Sequence, residues 1–184
     1  ARYVLLDVLG EGSFSIVFRA RDRWRQEDVA VKVFRGGDPE ERTLAARREH
    51  LVARDLRHPA IASATDAGRF SGHPFVVLEL AAGEALDVAM RDAEPRQILR
   101  VIDTLAAGLA VLHARDLVHG DLKPANVRVA RRGQRLEARL VDLGCARPPG
   151  TAGGGTAAYA APEALGGAAT VASDLFALDE LGRR

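Results

Sequence analysis

The 184 residues are 47% hydrophobic, 28% charged and 5% aromatic, with a net charge of +1. That is enough apolar material for one substantial core or two small lobes, and too much for a disordered chain. The 26 basic residues balance 25 acidic ones, so no overall field draws the chain to nucleic acid or to a membrane surface. The longest uncharged stretch, Pro148 to Pro162, is mostly Gly, Ala, Pro and Thr and is no transmembrane helix. No signal or transit segment is present, and the single cysteine, Cys145, excludes a disulfide framework and a cysteine-based zinc site. The expected compartment is cytoplasmic. Ala1 in place of an initiator methionine predicts a piece of a longer protein with further domains.

In chain order, residues 3–9, 15–21 and 28–34 read as strands. Asp38-Pro39-Glu40-Glu41 is a helix start, with a capping Asp, Pro in the first turn and Glu three residues on; the helix should reach about Leu56, before His58-Pro59. Phe75 to Leu80 is an apolar strand, broken by Ala81-Ala82-Gly83, the expected lobe boundary. From Pro95 the period turns helical, with Ile98, Ile102, Leu105, Leu109 and Leu112 in one stripe. Short strands follow at 127–130 and 136–141, then a loop over 148–156, a short helix after Pro162 and another at Ser173-Asp174. Strands first and helices after predict an α+β chain with segregated lobes.

Of the 26 basic residues, 24 are Arg; only Lys32 and Lys123 are Lys, and Asn126 is the single Asn. Where Lys persists against such a bias, a compact point charge on a thin stem is the property that Arg cannot supply. Leu9-Gly10-Glu11-Gly12-Ser13-Phe14-Ser15-Ile16-Val17 is a glycine turn between strands, able to bring backbone N–H groups to phosphate oxygens or simply to turn a hairpin. Lys32 lies inside the apolar Val29-Ala30-Val31-Lys32 and needs a partner. Glu49 shares a helix face with Val52, Ala53 and Leu56, so it needs one too, and the economical pairing is Lys32 with Glu49. His119-Gly120-Asp121-Leu122-Lys123-Pro124-Ala125-Asn126 holds a base, a cation and an amide oxygen within one loop. Asp142, ending an apolar strand before Leu143-Gly144, can hold Mg²⁺ or cap a turn.

In this order the motifs resemble the protein-kinase superfamily, from Val4 to about Leu178. Asp-Leu-Lys-Pro-x-Asn is similar to the serine/threonine class, in the style of bacterial kinases. The resemblance implies a bilobal fold: a small antiparallel-sheet lobe with one helix over 1–80, and a mainly helical lobe over 81–184 that ends early in its central helix. It implies transfer of the ATP γ-phosphoryl group to a Ser or Thr hydroxyl of a protein substrate. Asp121, Lys123, Lys32 and Glu49 would be catalytic, and Asn126 and Asp142 would hold Mg²⁺. Leu9, Gly10, Glu11, Gly12, Ser13, Phe14, Ser15, Val17, Ala30, Lys32, Glu79 and Ala81 would contact ATP. Residues 155–163 would receive the peptide, with Glu163 closing the segment.

Departures mark individual expectations. Ser15 replaces a third Gly, and Leu143 an aromatic plug. Gly120 replaces the Arg that would bind a phosphorylated loop, so control by phosphorylation of Thr151 or Thr156 is not expected, unless Arg147 substitutes. Arg128 falls where the family puts an apolar side chain under the adenine. Cys145 is expected to be a small buried thiol. The absent end of the large lobe predicts a weak enzyme in this chain alone. His119-Gly120-Asp121 also resembles the aminoglycoside-phosphotransferase group, opposed by Lys123 and residues 155–163. A non-catalytic module of the same fold is the third reading, opposed by the intact charged set.

Overall fold

The structure, a computed structural model, describes all residues except 152–154, 166 and 184 and the side chain of Glu163. Part of the expected loop over 148–156, and the closing role expected of Glu163, thus lie outside the described residues. The chain forms two compact units: Ala1–Arg57 with Ala62–Ala81, and His58–Ile61 with Ala82–Arg184.

The first unit is a five-stranded antiparallel sheet in the order β1-β2-β3-β5-β4, with one helix. Its strands are β1 (Tyr3–Glu11), β2 (Ser15–Asp22), β3 (Glu27–Phe34), β4 (Ala64–Phe70) and β5 (His73–Glu79). Alternation on β3 sends Val29, Val31 and Val33 to one face, where they pack with Ala20, Val77, Tyr3 and Phe75. Ala30, Lys32 and Phe34 point the other way. Helix α1 (Pro39–Arg54) begins as its sequence predicts: the Asp38 carboxylate accepts the N–H groups of Glu40 at 2.7 Å and Glu41 at 3.4 Å. It ends two residues before the expected Leu56, which is nonetheless fully buried.

β4 has no sequence signature, because Ala64-Thr65-Asp66-Ala67-Gly68 has poor strand propensity. It exists through β5. Gly68 lies opposite Phe75, and a Cβ there would stand 2.7 Å from the Phe75 ring, so glycine lets the ring cover the strand.

In the second unit, β6 (Glu84–Ala85), β7 (Val127–Arg132) and β8 (Arg135–Leu140) form a sheet in that order. Helix α3 (Pro95–His113) starts with a capping box between Glu94 and Gln97. Its buried line runs through Val101, Leu105, Gly108, Leu109 and Leu112, whereas Ile98 and Ile102 of the expected stripe are half-buried. A Cβ at Gly108 would lie 3.2 Å from Ala60 and 3.3 Å from Leu140, so glycine sets how closely α3 approaches β8. The one-turn helices α2 (Leu86–Ala89) and α4 (Pro162–Leu165) follow and precede loops; α2, like β6, is too short to leave a periodic signal. Helix α5 (Val171–Arg183) starts two residues before Ser173, with Thr170 and Ser173 exchanging side-chain-to-backbone hydrogen bonds at its start. Among the described residues no helix is long and apolar enough to cross a membrane.

Candidate functional site

In the first unit, Gly10 pairs with Val17, and the Gly12 N–H donates to the Ser15 carbonyl at 2.8 Å, closing the turn between β1 and β2. Neither glycine has a positive φ. A Cβ at Gly10 would meet nothing within 4 Å, and one at Gly12 only the Ser15 carbonyl at 3.8 Å. The fold therefore does not require glycine here; an occupant approaching the backbone would. Leu9, Glu11, Ser13 and Phe14 are exposed, while Ser15 and Val17 are half-buried. Glu11 is ion-paired with Arg35, and the Arg35 N–H donates to the Phe14 carbonyl at 2.8 Å, tying the turn to the end of β3.

Lys32 lies between Val17 and Val76 in register, on the same face as Ala30. Its Nζ is 2.8 Å from Glu49 Oε2, and the two residues are 7% and 0% exposed. The Nζ also stands 5.5 Å from the Phe34 ring centroid. The pairing inferred from two misplaced charges is thus the one observed. Glu79, opposite Val29, accepts the Ser63 N–H at 3.3 Å, and Ala81 ends the unit half-buried.

In the second unit the loop after α3 gathers a dense polar cluster. Asp121 Oδ2 accepts Lys123 Nζ at 2.8 Å and Asn126 Nδ2 at 3.1 Å. Oδ1 accepts the Thr156 N–H and the Thr156 hydroxyl, each at 2.7 Å. Lys123 Nζ also donates to Thr156 Oγ1 at 2.8 Å. A carboxylate has about four lone-pair positions, and all are engaged here. Asn126 Nδ2 also donates to the Asp121 carbonyl at 2.8 Å, which orients its amide. Asp142 follows β8; its Oδ1 accepts the Gly144 N–H at 2.9 Å. The Val141 N–H donates to the Asn126 carbonyl at 3.1 Å, setting the ends of β7 and β8 side by side. An amide oxygen and a carboxylate at adjoining strand ends are hard donors suited to Mg²⁺, which takes few protein ligands and completes its shell with phosphate and water. Among the described residues no cluster of three or more His, Cys, Asp or Glu could hold a metal ion.

Beneath the loop lies an anchor that sequence reasoning did not assign. Asp174 of α5 is 2% exposed; it accepts the His119 N–H at 2.7 Å and the Gly120 N–H at 2.9 Å, and meets His113 Nε2 at 2.9 Å. The available signal was the one used for Glu49: a carboxylate on an apolar helix needs a partner. His119 Nδ1 accepts the Asp121 N–H at 3.3 Å, and burial lowers the imidazole pKa from its ordinary value, keeping the ring neutral. Gly120 has φ +71°, and a Cβ there would come 2.9 Å from the Arg147 guanidinium. Arg147 donates to the carbonyls of Thr151 at 3.0 Å and Cys145 at 2.7 Å, so a buried Arg braces the segment where the loop itself has none. Cys145 is half-buried rather than the fully buried thiol expected. Beside Asp121 opens a pocket of about 280 Å³, lined in part by Thr156, Tyr159, Ala161 and Ser173.

The glycine turn and the buried Lys–Glu pair lie in the first unit, and the loop that gathers Asp, Lys and Asn lies in the second. Comparison with known sequences gives the class: the family profile described as protein kinase domain matches residues 3–179, and the chain belongs to that family. Relatives include the serine/threonine-protein kinase pkn2 of Myxococcus xanthus, 31% identical and matched over 100% of this chain and 24% of its own length. Serine/threonine-protein kinase PknB of Mycolicibacterium smegmatis is 33% identical over 96% of this chain and 31% of its own length. The probable serine/threonine-protein kinase SCO3848 of Streptomyces coelicolor is also 33% identical, over 95% of this chain and 28% of its own. The chain thus spans about a quarter to a third of the curated relatives it matches.

Proposed function

We propose that the protein transfers the γ-phosphoryl group of ATP to a serine or threonine hydroxyl of a protein substrate. The observation that carries this reading is the Asp121 carboxylate bonded at 2.7 Å to an alcohol, Thr156 Oγ1, with the Lys123 ammonium 2.8 Å from both residues. Of the four groups on that carboxylate, the Thr156 hydroxyl belongs to the chemical class of the proposed substrate. Entry of a Ser or Thr hydroxyl exchanges one alcohol for another. Asp121 then takes the hydroxyl proton as the oxygen attacks phosphorus, and the electron pair of the broken bond leaves on ADP. Lys123 steadies the charge of the phosphoryl group in transit. Lys32, held by Glu49, anchors phosphate oxygens, and Gly10 and Gly12 admit them to the backbone; Leu9, Val17, Ala30, Glu79 and Ala81 contact the rest of the nucleotide. Asn126 and Asp142 hold Mg²⁺, which when bound neutralises the phosphate charge. The names of the relatives and the pocket beside Thr156 favour a protein substrate over a small molecule. Use of cellular ATP and a single cysteine support a cytoplasmic site of action.

The test separates the two acids. Asp121→Asn should leave Mg·ATP binding intact while slowing transfer by about 10²–10⁴, the range for a positioned base. Asp142→Asn should weaken metal-dependent nucleotide binding. Equal loss of Mg·ATP affinity in both variants would refute the division of roles.

A further inference from the structure

The glycine turn between β1 and β2 projects Leu9, Glu11, Ser13 and Phe14 into solvent, Phe14 at 71% exposure, so apolar burial does little to hold it. Polar ties bind it instead to two residues just past the end of β3, Arg35 and Gly36. The Arg35 N–H donates to the Phe14 carbonyl at 2.8 Å. Gly36, at φ +70°, lets the Ser13 carbonyl come close; a Cβ there would stand 3.2 Å from that oxygen. The Arg35 guanidinium pairs with the Glu11 carboxylate. Glu11, Ser13 and Phe14 are thus tied to one point, and Gly12 lies among them. Arg35 is three residues beyond Lys32, and β2 and β3 keep their register as far as Ser15 and Phe34. The same point therefore fixes the turn against the strand that carries Lys32.

These ties differ in kind. The main-chain hydrogen bond and the glycine contact do not depend on side-chain charge. The ion pair joins two exposed side chains, so it adds little to the stability of the fold and weakens as salt rises. Such a tie suits a turn that opens and closes. On the kinase reading above, on which this step rests, phosphate oxygens lie against the backbone at Gly10 and Gly12 and against Lys32. Release of the nucleotide then separates the turn from the strand that carries Lys32. We propose that Arg35 is a positioning residue: its pair with Glu11 latches the glycine turn onto the nucleotide phosphates, and breaking that pair is the step that limits nucleotide release.

The experiment joins two measurements on the whole chain: the release rate of a fluorescent ADP with Mg²⁺, and amide hydrogen exchange over residues 11–15 without nucleotide. Thermal melting of each variant shows that the fold persists. At about 0.01 M salt, Arg35→Leu and Glu11→Leu should each speed release about two- to fivefold, the range for an exposed pair. The double variant should go no faster than either single one. Arg35→Lys, which keeps the charge, should stay near wild type, and Glu11→Arg with Arg35→Glu should restore slow release. Near about 1 M salt the wild type should release as fast as Arg35→Leu. Exchange over residues 11–15 should quicken in Arg35→Leu. Exchange unmoved in that variant overturns the latch, whether or not nucleotide binds. Additive effects of the two single variants overturn the pairing, and release unmoved in both overturns the limiting step. A wild type that binds no ADP overturns the kinase reading and the release step with it, and is told apart from failure of the latch by exchange that still quickens in Arg35→Leu.

Discussion

The Lys32–Glu49 pair of the first unit and the Asp121 cluster of the second solve the same problem in different ways. Each holds charged side chains in a fixed arrangement. In the first unit one contact does it: a strand and a helix each contribute a single side chain, 8% and 0% exposed, meeting at 2.8 Å. In the second, Asp121 is shared among Lys123, Asn126 and Thr156, and the loop beneath is pinned separately by Asp174. The lesson is one of redundancy. A single buried pair ties stability to chemistry, whereas a cluster with its own anchor lets the reacting group change while the scaffold stays.

The largest effect is expected where that tie is tightest. Lys32→Met leaves Glu49 buried without its cation and should cost about 3–5 kcal/mol in denaturant unfolding, together with phosphoryl transfer. Lys32→Met with Glu49→Leu should regain most of the stability and none of the activity. A single variant as stable as wild type would erase the contrast between the units.

In the second unit the anchor and the proposed reacting acid should separate. Asp174→Ala leaves the buried N–H groups of His119 and Gly120 without their acceptor and should cost about 2–3 kcal/mol. Asp121→Asn keeps one acceptor oxygen but turns an amide NH₂ toward two of the four donors, so it should cost about 1–2 kcal/mol, less than Asp174→Ala. Equal destabilisation would mean that Asp121 is itself part of the scaffold.

Glycines sharpen the comparison further. Gly120→Ala places a side chain at φ +71° against Arg147 and should lower stability by about 1–2 kcal/mol, read from the unfolding midpoint. Gly10→Ala meets no neighbour, so stability should hold while nucleotide affinity falls. A stability loss at Gly10 would show that the fold, not a ligand, requires glycine there.

Two pH dependences are the smallest effects expected, one in each unit. His119 has its pKa lowered by burial, and Asp22 is held at about 2 chiefly by its hydrogen bond to Arg2. In both, the folded value lies below the ordinary one, so the unfolded chain binds more protons as pH falls. The stability from His119 is full above its ordinary 6.5 and declines below it. That from Asp22 is full above 3.8 and is lost as pH falls toward about 2. Arg2→Leu should flatten the second decline in a pH series of unfolding curves and leave the first intact.

Much of the candidate site was legible because its clues are local. Lys32 and Glu49 each violate an apolar pattern, and the loop from His119 to Asn126 holds the chain's single Asn and one of its two Lys. Asp174 carried the same kind of clue, but nothing in its own segment says that its partners are backbone N–H groups 54 and 55 residues away. Arg147 was named only as a stand-in for the Arg missing at Gly120, and its burial against that glycine came from the tertiary structure.

By itself the sequence determined what short-range geometry can decide. The cap at Asp38, the alternation of β3, the helical period of α3 and the spacing within the Asp121 loop depend on neighbours a few residues apart, whose relative positions the backbone dictates. Only the tertiary structure decided what depends on surfaces meeting across long loops. β4 is a strand because β5 offers it a register and the Phe75 ring covers Gly68. The Asp121 loop is held because α5 brings a carboxylate beneath it. Such contacts offset the entropy of closing the intervening chain through burial and hydrogen bonding, and that balance is set by the partner surface rather than by the segment's own residues.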